Sequence, residues 1–288
     1  RNPIKLEGFI HSAYYYEKSE SLGSQAIAIV LTVPLTFETP TIQLVGTGVS
    51  NDTEYIDAAI ILEPEENHTK YSTAIITGNL KTLKSLEKLE VDGVQIPFKI
   101  PIPQQYPVVF CIAPMPFNWP DTISQIHFAH HYGAHLHFYL TNISSPIFDL
   151  LNLYKTQKYI TLQPWLTTSN STNGAVYTDC LLQYKEATDY IGFMVNVNGG
   201  GPSSRVTKRV HNGIFRLENQ KIDKLQNSAI PKAIRRDIPL LRVDQLEEIE
   251  KDWERIRNSS SEVFQRLQAF SSCSPKNPDK YPECLVFQ

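Results

Sequence analysis

Buried strands alternate with helical segments between residues 106 and 198, and this alternation limits the possible folds more than any other feature of the chain. The segments "YPVVFCIAPM", "AHLHFYL", "YITLQPW" and "YIGFMVNVN" are apolar or alternate with a period of two. Between them lie "DTISQIHFAHHYG", "IFDLLNLYKTQK" and "YTDCLLQYKEATD", whose apolar residues recur at helical spacing. Such alternation predicts an α/β domain with a mainly parallel sheet.

The first hundred residues have a different pattern. They contain "SQAIAIVLTV", "TIQLVG", "YIDAAIIL" and "YSTAIITG", which are rich in β-branched residues and separated by turn residues. This predicts a smaller antiparallel β-rich module. The proline-rich "PFKIPIPQQYP" marks the connection, so we predict domains at 1–104 and 105–288. The second ends in an amphipathic helical region, interrupted near Asn258, and a cysteine-containing tail.

Charge and glycosylation sequons indicate the cellular context. A formal net charge of -3 gives no general reason to expect a nucleic acid or an anionic membrane as partner. The N-x-Ser/Thr sequons favour the secretory pathway and a surface position for each asparagine. Because the chain begins at Arg1 and lacks a long apolar stretch, we expect any membrane anchor to precede it. The sequons are at Asn51, Asn67, Asn142, Asn170 and Asn258.

The four cysteines fit an oxidising compartment. Cys273 and Cys284 flank "SPKNPDKYPE", which predicts a disulfide-closed C-terminal loop. Cys111 lies in a strand-like run and Cys180 in a helix-like run. These two are either disulfide partners or buried thiols, and the connectivity stays open.

Other residue patterns carry weaker chemical signals. His127 and His131 have the i, i+4 spacing of a zinc site, whereas His135 and His137 point to one face of a strand. Half-buried histidines at a helix–strand corner are the favoured interpretation, and a secreted zinc enzyme is a minor alternative. The run "NGGGPSSR" lacks a phosphate-loop motif and is equally typical of a turn. We expect Asp179 and Glu186 to lie on solvated helix faces.

The order of several segments resembles a known family. "VVFCIAPMPFNW", "HYGAHLHFYLTNIS", "LLNLYKTQKYITLQPW" and "YTDCLLQYKEATDYIGFMVNVN" are similar in sequence and spacing to glycosyltransferase family 92. The opening "GFIHSAYYYEKSESLGSQAIAIV" also resembles the family's N-terminal module. The resemblance extends from about residue 8 to residue 198 and resumes weakly at "KRVHNGIF" and the C-terminal helix.

The resemblance implies a GT-A fold that binds a UDP-sugar through a divalent metal, usually Mn²⁺, at an Asp-x-Asp motif. The matching positions here are Asn196, Val197 and Asn198, so both carboxylates are replaced by amides. His211, in "RVHN", is a candidate metal or phosphate ligand by the same resemblance. A segment expected to carry acceptor contacts and the catalytic base is reduced to "GGGPSSRVTK", so no general base and no other nucleotide-binding residue is assigned.

Two functions follow from the resemblance. The first is transfer of a hexose, galactose from UDP-galactose, to a glycan or glycoprotein acceptor in the Golgi lumen, with reduced or lost activity. The second is a non-catalytic relative that binds a glycan, a nucleotide sugar or a protein partner on the same scaffold. Asn196 and Asn198 favour the second, because hard cations prefer anionic oxygen ligands.

Overall fold

The structure is a computed structural model that describes residues 8–37, 41–62, 70–114, 119–166, 173–195, 203–208 and 243–271. The chain forms two compact units. The first comprises the described residues within 1–106, 166–191 and 208–215. The second comprises those within 107–165, 192–207 and 216–288. The predicted boundary at residue 104 stays a prediction.

The first unit contains a seven-stranded sheet in which every adjacent pair is antiparallel. Its strand order is β1-β2-β5-β4-β3-β6-β7. The predicted β-rich module is therefore present as an antiparallel sheet. The strands are β1 (Phe9–Ser19), β2 (Gly23–Pro34), β3 (Thr41–Thr47), β4 (Thr53–Leu62), β5 (Tyr71–Asn79), β6 (Lys88–Val91) and β7 (Val94–Ile96).

Strand β2 is buried on both faces, from Ala26 to Val33. Its odd-numbered residues, such as Ile27 and Ile29, join the apolar core of the unit. Helix α3 (Asn173–Tyr184) packs against β1 and β2. Because successive side chains of a strand point to opposite faces, both faces of β2 need a cover, and this explains its continuous apolar run.

The second sheet has five strands in the order β10-β9-β8-β11-β12. The pairs β8–β9 and β9–β10 are parallel, as the sequence predicts. Helix α1 (Trp119–His131) connects β8 to β9, and helix α2 (Ser145–Thr156) connects β9 to β10. The strands are β8 (Tyr106–Ile112), β9 (Ala134–Leu140), β10 (Ile160–Pro164), β11 (Thr188–Val195) and β12 (Ser203–Lys208).

The C-terminal helical region consists of two helices, α4 (Val243–Ser259) and α5 (Ser261–Ser271). The predicted interruption near Asn258 is confirmed, since the helices meet at Ser260. They complete the core of the second unit, where Trp253 stacks on Phe264 at a centroid distance of 5.4 Å. Within the described ranges, no helix has both the length and the apolar character needed to cross a bilayer.

Candidate functional site

The carboxyl edge of the parallel sheet is the part of the second unit best placed to hold a ligand. Strands β8, β9 and β10 run in the same direction and end at Ile112, Leu140 and Pro164. In open α/β sheets, ligands bind outside the carboxyl ends of the strands. We therefore take this edge of the sheet as the candidate site.

Strand β11 runs parallel to β8, as two contacts show. The backbone N–H of Tyr106 donates to the carbonyl of Ala187, 2.8 Å away. Further along, Gly192 lies beside Phe110, so closely that a Cβ atom on Gly192 would lie 2.5 Å from the ring. Residue numbers increase together along both strands, so β11 ends at the same edge as β8.

The strand order shows where along this edge a ligand crevice is expected. Helices α1 and α2 lead from β8 outward to β9 and β10, whereas the chain after α3 returns to the other side of β8. The order therefore reverses between β8 and β11, which is the position of the ligand crevice in doubly wound sheets. Asn196 and Asn198 follow directly after Val195, the last residue of β11. These two residues and His211 lie outside the described residues, so their predicted roles stay predictions.

Helix α2 begins at the same edge, four residues after β9 ends. Its N-cap is Ser144, in an extended conformation, and Pro146 occupies its first turn. No side chain caps the first turn of this helix. Exposed N–H groups at a helix N-terminus carry partial positive charge and attract anions such as phosphate.

The clustered histidines are divided between two separate sets of contacts. His135 and His137 lie on one face of β9, as predicted, and both contact Thr161 of β10, at 3.1 and 2.6 Å. The single hydroxyl proton of Thr161 can be donated to one ring only, so the oxygen accepts an N–H from the other. Burial lowers the pKa of His135 to about 4. Within the described part of the chain, no three His, Cys, Asp or Glu side chains form a metal-binding group.

His127 contacts residues far away in sequence instead of His131. Its Nδ1 atom lies 3.1 Å from Asp252 of α4, and its Nε2 atom lies 2.9 Å from the Tyr154 hydroxyl. Burial lowers the pKa of His127, and the Asp252 carboxylate opposes this only in part. The neutral ring therefore donates an N–H to Asp252 and accepts the hydroxyl proton of Tyr154.

Asp252 is the centre of this network, and sequence reasoning did not identify it. Its carboxylate accepts the Tyr159 hydroxyl at 2.7 and 2.8 Å and the Arg255 guanidinium at 2.8 Å. Burial alone would raise the pKa of Asp252, but these hydrogen bonds outweigh it and lower the pKa. The network binds α4 to α1 and α2, and its hydrogen bonds give these residues a structural explanation.

The expectation for Asp179 and Glu186 is wrong. Asp179 is fully buried on α3 in the first unit and accepts the Tyr14 hydroxyl at 2.8 Å. Glu186 lies after the end of α3, in the turn that precedes β11, and pairs with the buried Lys185 at 2.8 Å. Helix α3 is apolar on nearly all sides, so it has no broad solvated face to carry such residues.

The cysteine and sequon predictions are tested in part. Cys111 and Cys180 are both disulfide-bonded, so neither is a buried thiol. Cys273 and Cys284 lie outside the described residues. Among the sequons, Asn51, Asn142 and Asn258 are exposed, whereas Asn67 and Asn170 also lie outside the described residues.

Comparison with known proteins shows a similarity to one family. Residues 106–194 match the family model described as Glycosyltransferase family 92. Two proteins of Caenorhabditis elegans with that family name are 32% and 33% identical over 216 and 212 residues, in each case 64% of this chain. Over these ranges the chain is similar to glycosyltransferase family 92. It spans 40% and 41% of the length of those two relatives.

The family 92 match begins at β8 and ends one residue before the end of β11. It therefore covers the strands and helices that build the candidate site. Among solved structures, one alignment is with the FAD/NAD-binding domain of a Vibrio cholerae nitric oxide dioxygenase. It covers 57% of this chain and 74% of that domain's chain. That alignment has 13% identity and a TM-score of 0.15, so nothing follows from it.

Proposed function

We propose that this chain is the donor-binding part of a glycosyltransferase that transfers a hexose, galactose from UDP-galactose, to a glycan or glycoprotein acceptor. One observation carries the proposal: β11 ends at the reversal point of a parallel sheet, and the chain continues there into Asn196, Val197 and Asn198. A nucleotide diphosphate needs hydrogen-bond donors at such a crevice. Helix α2 begins at the same edge of the sheet, and the backbone N–H groups of its first turn have the required polarity.

The reaction we propose is a direct displacement. The acceptor hydroxyl oxygen forms a bond to the anomeric carbon while the bond from that carbon to UDP breaks, and UDP leaves with the electron pair. The hydroxyl proton passes to a general base, for which a carboxylate is the expected group. No residue of this chain is assigned to that role.

The residues proposed at the donor site do not fit a resident Mn²⁺. Asn196, Asn198 and His211 offer two amides and one imidazole, and none of these groups carries negative charge near neutral pH. Hard cations select anionic oxygen ligands, so this set is weaker than the Asp-x-Asp motif of the family. We therefore derive no step of the reaction through the metal.

The same residues favour a second candidate function, a non-catalytic family member that binds a glycan or a protein partner. Loss of two carboxylates removes the charge that would hold a metal beside the diphosphate. For either function we propose the secretory pathway, with the Golgi lumen as the site of action. The sequons and the disulfide-bonded Cys111 and Cys180 support this location.

Calorimetric titration separates the two functions. UDP and UDP-galactose are titrated with and without Mn²⁺ into the unaltered chain, an Asn196→Asp/Asn198→Asp variant and an Asn152→Asp control on the exposed side of α2. Binding by the unaltered chain, followed by galactose transfer in an acceptor screen, supports the enzyme. Binding that requires the two aspartates supports the non-catalytic protein. If the aspartate variant also fails to bind, the proposed donor site is wrong.

A further inference from the structure

The turn between α3 and β11 is anchored to the antiparallel sheet through a buried lysine. The Lys185 ammonium donates to Ser19 Oγ at 2.6 Å, Ser21 Oγ at 2.8 Å and Glu186 Oε1 at 2.8 Å. It also lies over the Tyr16 ring, 4.4 Å from the centroid. Lys185 is 3% exposed, so its three protons have found three acceptors away from water.

Ser19, the last residue of β1, connects the members of this cluster. Its hydroxyl donates to Glu186 at 2.6 Å and accepts the protons of Lys185 and of the Leu22 backbone N–H. Burial raises the pKa of Glu186, but the bonds from Lys185 and Ser19 outweigh it and lower the pKa. The carboxylate is therefore charged and opposes the buried ammonium.

Two tyrosines of β1 hold the preceding helix in the same way. The Tyr14 hydroxyl donates to Asp179, and the Tyr16 hydroxyl donates to the Leu182 carbonyl at 2.6 Å. On the other side of the turn, the Gln105 side chain donates to the Glu186 carbonyl at 3.1 Å. The last turn of α3 and the residues before β11 are thus held at several points.

Polar anchoring of this kind fixes position more strictly than apolar packing does. An apolar helix face tolerates small shifts, whereas a displaced Lys185 would leave a buried charge without acceptors. Strand register is critical because a slip of one residue turns every side chain to the opposite face. A fixed turn two residues before β11 prevents such a slip.

We propose that Lys185, Ser19 and Ser21 are positioning residues that fix the start of β11. Their effect on ligand binding rests on the proposed donor site. The proposal also means that the family-matched segment 106–194 depends on the N-terminal sheet, since its α3–β11 turn is held by residues of β1 and the β1–β2 turn.

The test compares hydrogen exchange and UDP binding in full-length variants. In Lys185→Met, we expect amide exchange in β11 to accelerate at least about tenfold, whereas the β3–β4 hairpin is unchanged. If the chain binds UDP, we expect the Kd to rise about tenfold in this variant. Lys155→Met, at an exposed position of α2, should change neither quantity.

Two further variants separate positioning from stability. Leu44→Ala removes a fully buried side chain of the sheet core and lowers stability without touching the turn, so it should leave the UDP Kd unchanged at a temperature where it is folded. Ser21→Ala removes one acceptor and should accelerate β11 exchange by a smaller factor. It decides the question if Lys185→Met does not fold.

The outcomes are distinct. Unchanged exchange in β11 overturns the anchoring role, whether or not UDP binds. Faster exchange with an unchanged UDP Kd, or an equal rise in Kd for Leu44→Ala, overturns the effect on binding. Faster β11 exchange without UDP binding by any variant supports the anchor and refutes the proposed donor site.

Discussion

The Nδ1 atom of His127 lies 3.1 Å from Oδ2 of Asp252, and this contact joins helix α1 to helix α4 across 125 residues of sequence. Asp252 also accepts hydrogen bonds from Tyr159 and Arg255, and it is the carboxylate that His127 contacts. The network therefore adds a polar attachment of α4 to the α/β core, beside the apolar packing of Ile256, Phe264 and Leu267.

Asp252→Asn should destabilise the second unit by about 2 kcal/mol. The amide oxygen is a weaker acceptor than a carboxylate, and the amide NH₂ group would face the hydrogen-bond donors of Tyr159 and Arg255 without an acceptor. The measurement is urea unfolding at neutral pH. Glu254→Gln, at an exposed position two residues away, is the matched control and should change the midpoint little. Equal midpoints for the two variants would show that the network contributes nothing measurable.

The buried histidines predict a loss of stability in acid. The pKa of His135 is lowered by burial to about 4, whereas the unfolded chain has the ordinary value of 6.5. The unfolded state therefore binds the proton first, so the stabilising effect is complete above pH 6.5 and is lost as pH falls from 6.5 towards 4. The full loss from this residue is about 3 kcal/mol.

Unfolding at pH 7.5 and pH 4.5 tests this prediction. His135→Gln keeps a polar group beside Thr161 but does not titrate, so its stability should fall less between the two pH values than that of the unaltered chain. Asp252 does not affect this comparison. Its pKa is lowered from an ordinary value of 3.8, so its contribution to the free energy of unfolding is lost only in stronger acid. Identical pH dependence in the two proteins would contradict the assignment.

The sequence predicts those parts of the fold that depend on local patterns. Period-two alternation in "AHLHFYL" places His135 and His137 on one face of β9, and both contact Thr161. The change from β-rich to strand–helix patterning near residue 105 predicts two types of sheet, which the structure contains. These features follow from neighbours in the chain, so composition and spacing are sufficient.

The buried polar partners could not be predicted in this way. Aspartate is a residue type expected on a solvated helix face, but the Asp179 carboxylate is buried and accepts the Tyr14 hydroxyl, 165 residues away in sequence. His127 likewise has the spacing of a zinc ligand with His131, but its partners come from α2 and α4. Tertiary pairing decides both cases, and no local pattern encodes it.

Gly192 in β11 should not tolerate a side chain. A Cβ atom at this position would lie 2.5 Å from both Cδ1 and Cε1 of Phe110 in the neighbouring strand. We expect Gly192→Ala to destabilise the chain by about 1–3 kcal/mol, as overpacking in a core does. Thermal or urea unfolding measures the change.

A double-mutant cycle with Phe110→Leu identifies the cause. The smaller side chain removes the ring atoms that clash, so Gly192→Ala should cost less in the Phe110→Leu background than in the unaltered chain. Additive effects would mean that the alanine acts through the backbone instead of the ring.

Asn51 lies in the turn between β3 and β4, where its backbone has φ of +63°. Asparagine is one of the few residues that adopt this left-handed conformation readily. The Gly48 N–H donates to the Asp52 carbonyl at 2.9 Å, and Asn51, Asp52 and Thr53 are all exposed. The sequon is therefore presented on a surface turn, as N-glycosylation requires.

We expect Asn51 to carry an N-glycan when the chain is expressed through a secretory pathway. Peptide mass spectrometry before and after enzymatic deglycosylation measures its occupancy. Thr53→Ala removes the sequon but leaves Asn51 in its turn, so the glycan should disappear, whereas Thr53→Ser keeps the sequon and should retain it. An unmodified Asn51 in the secreted chain, or a glycan that persists in Thr53→Ala, would show that the asparagine serves only the left-handed turn.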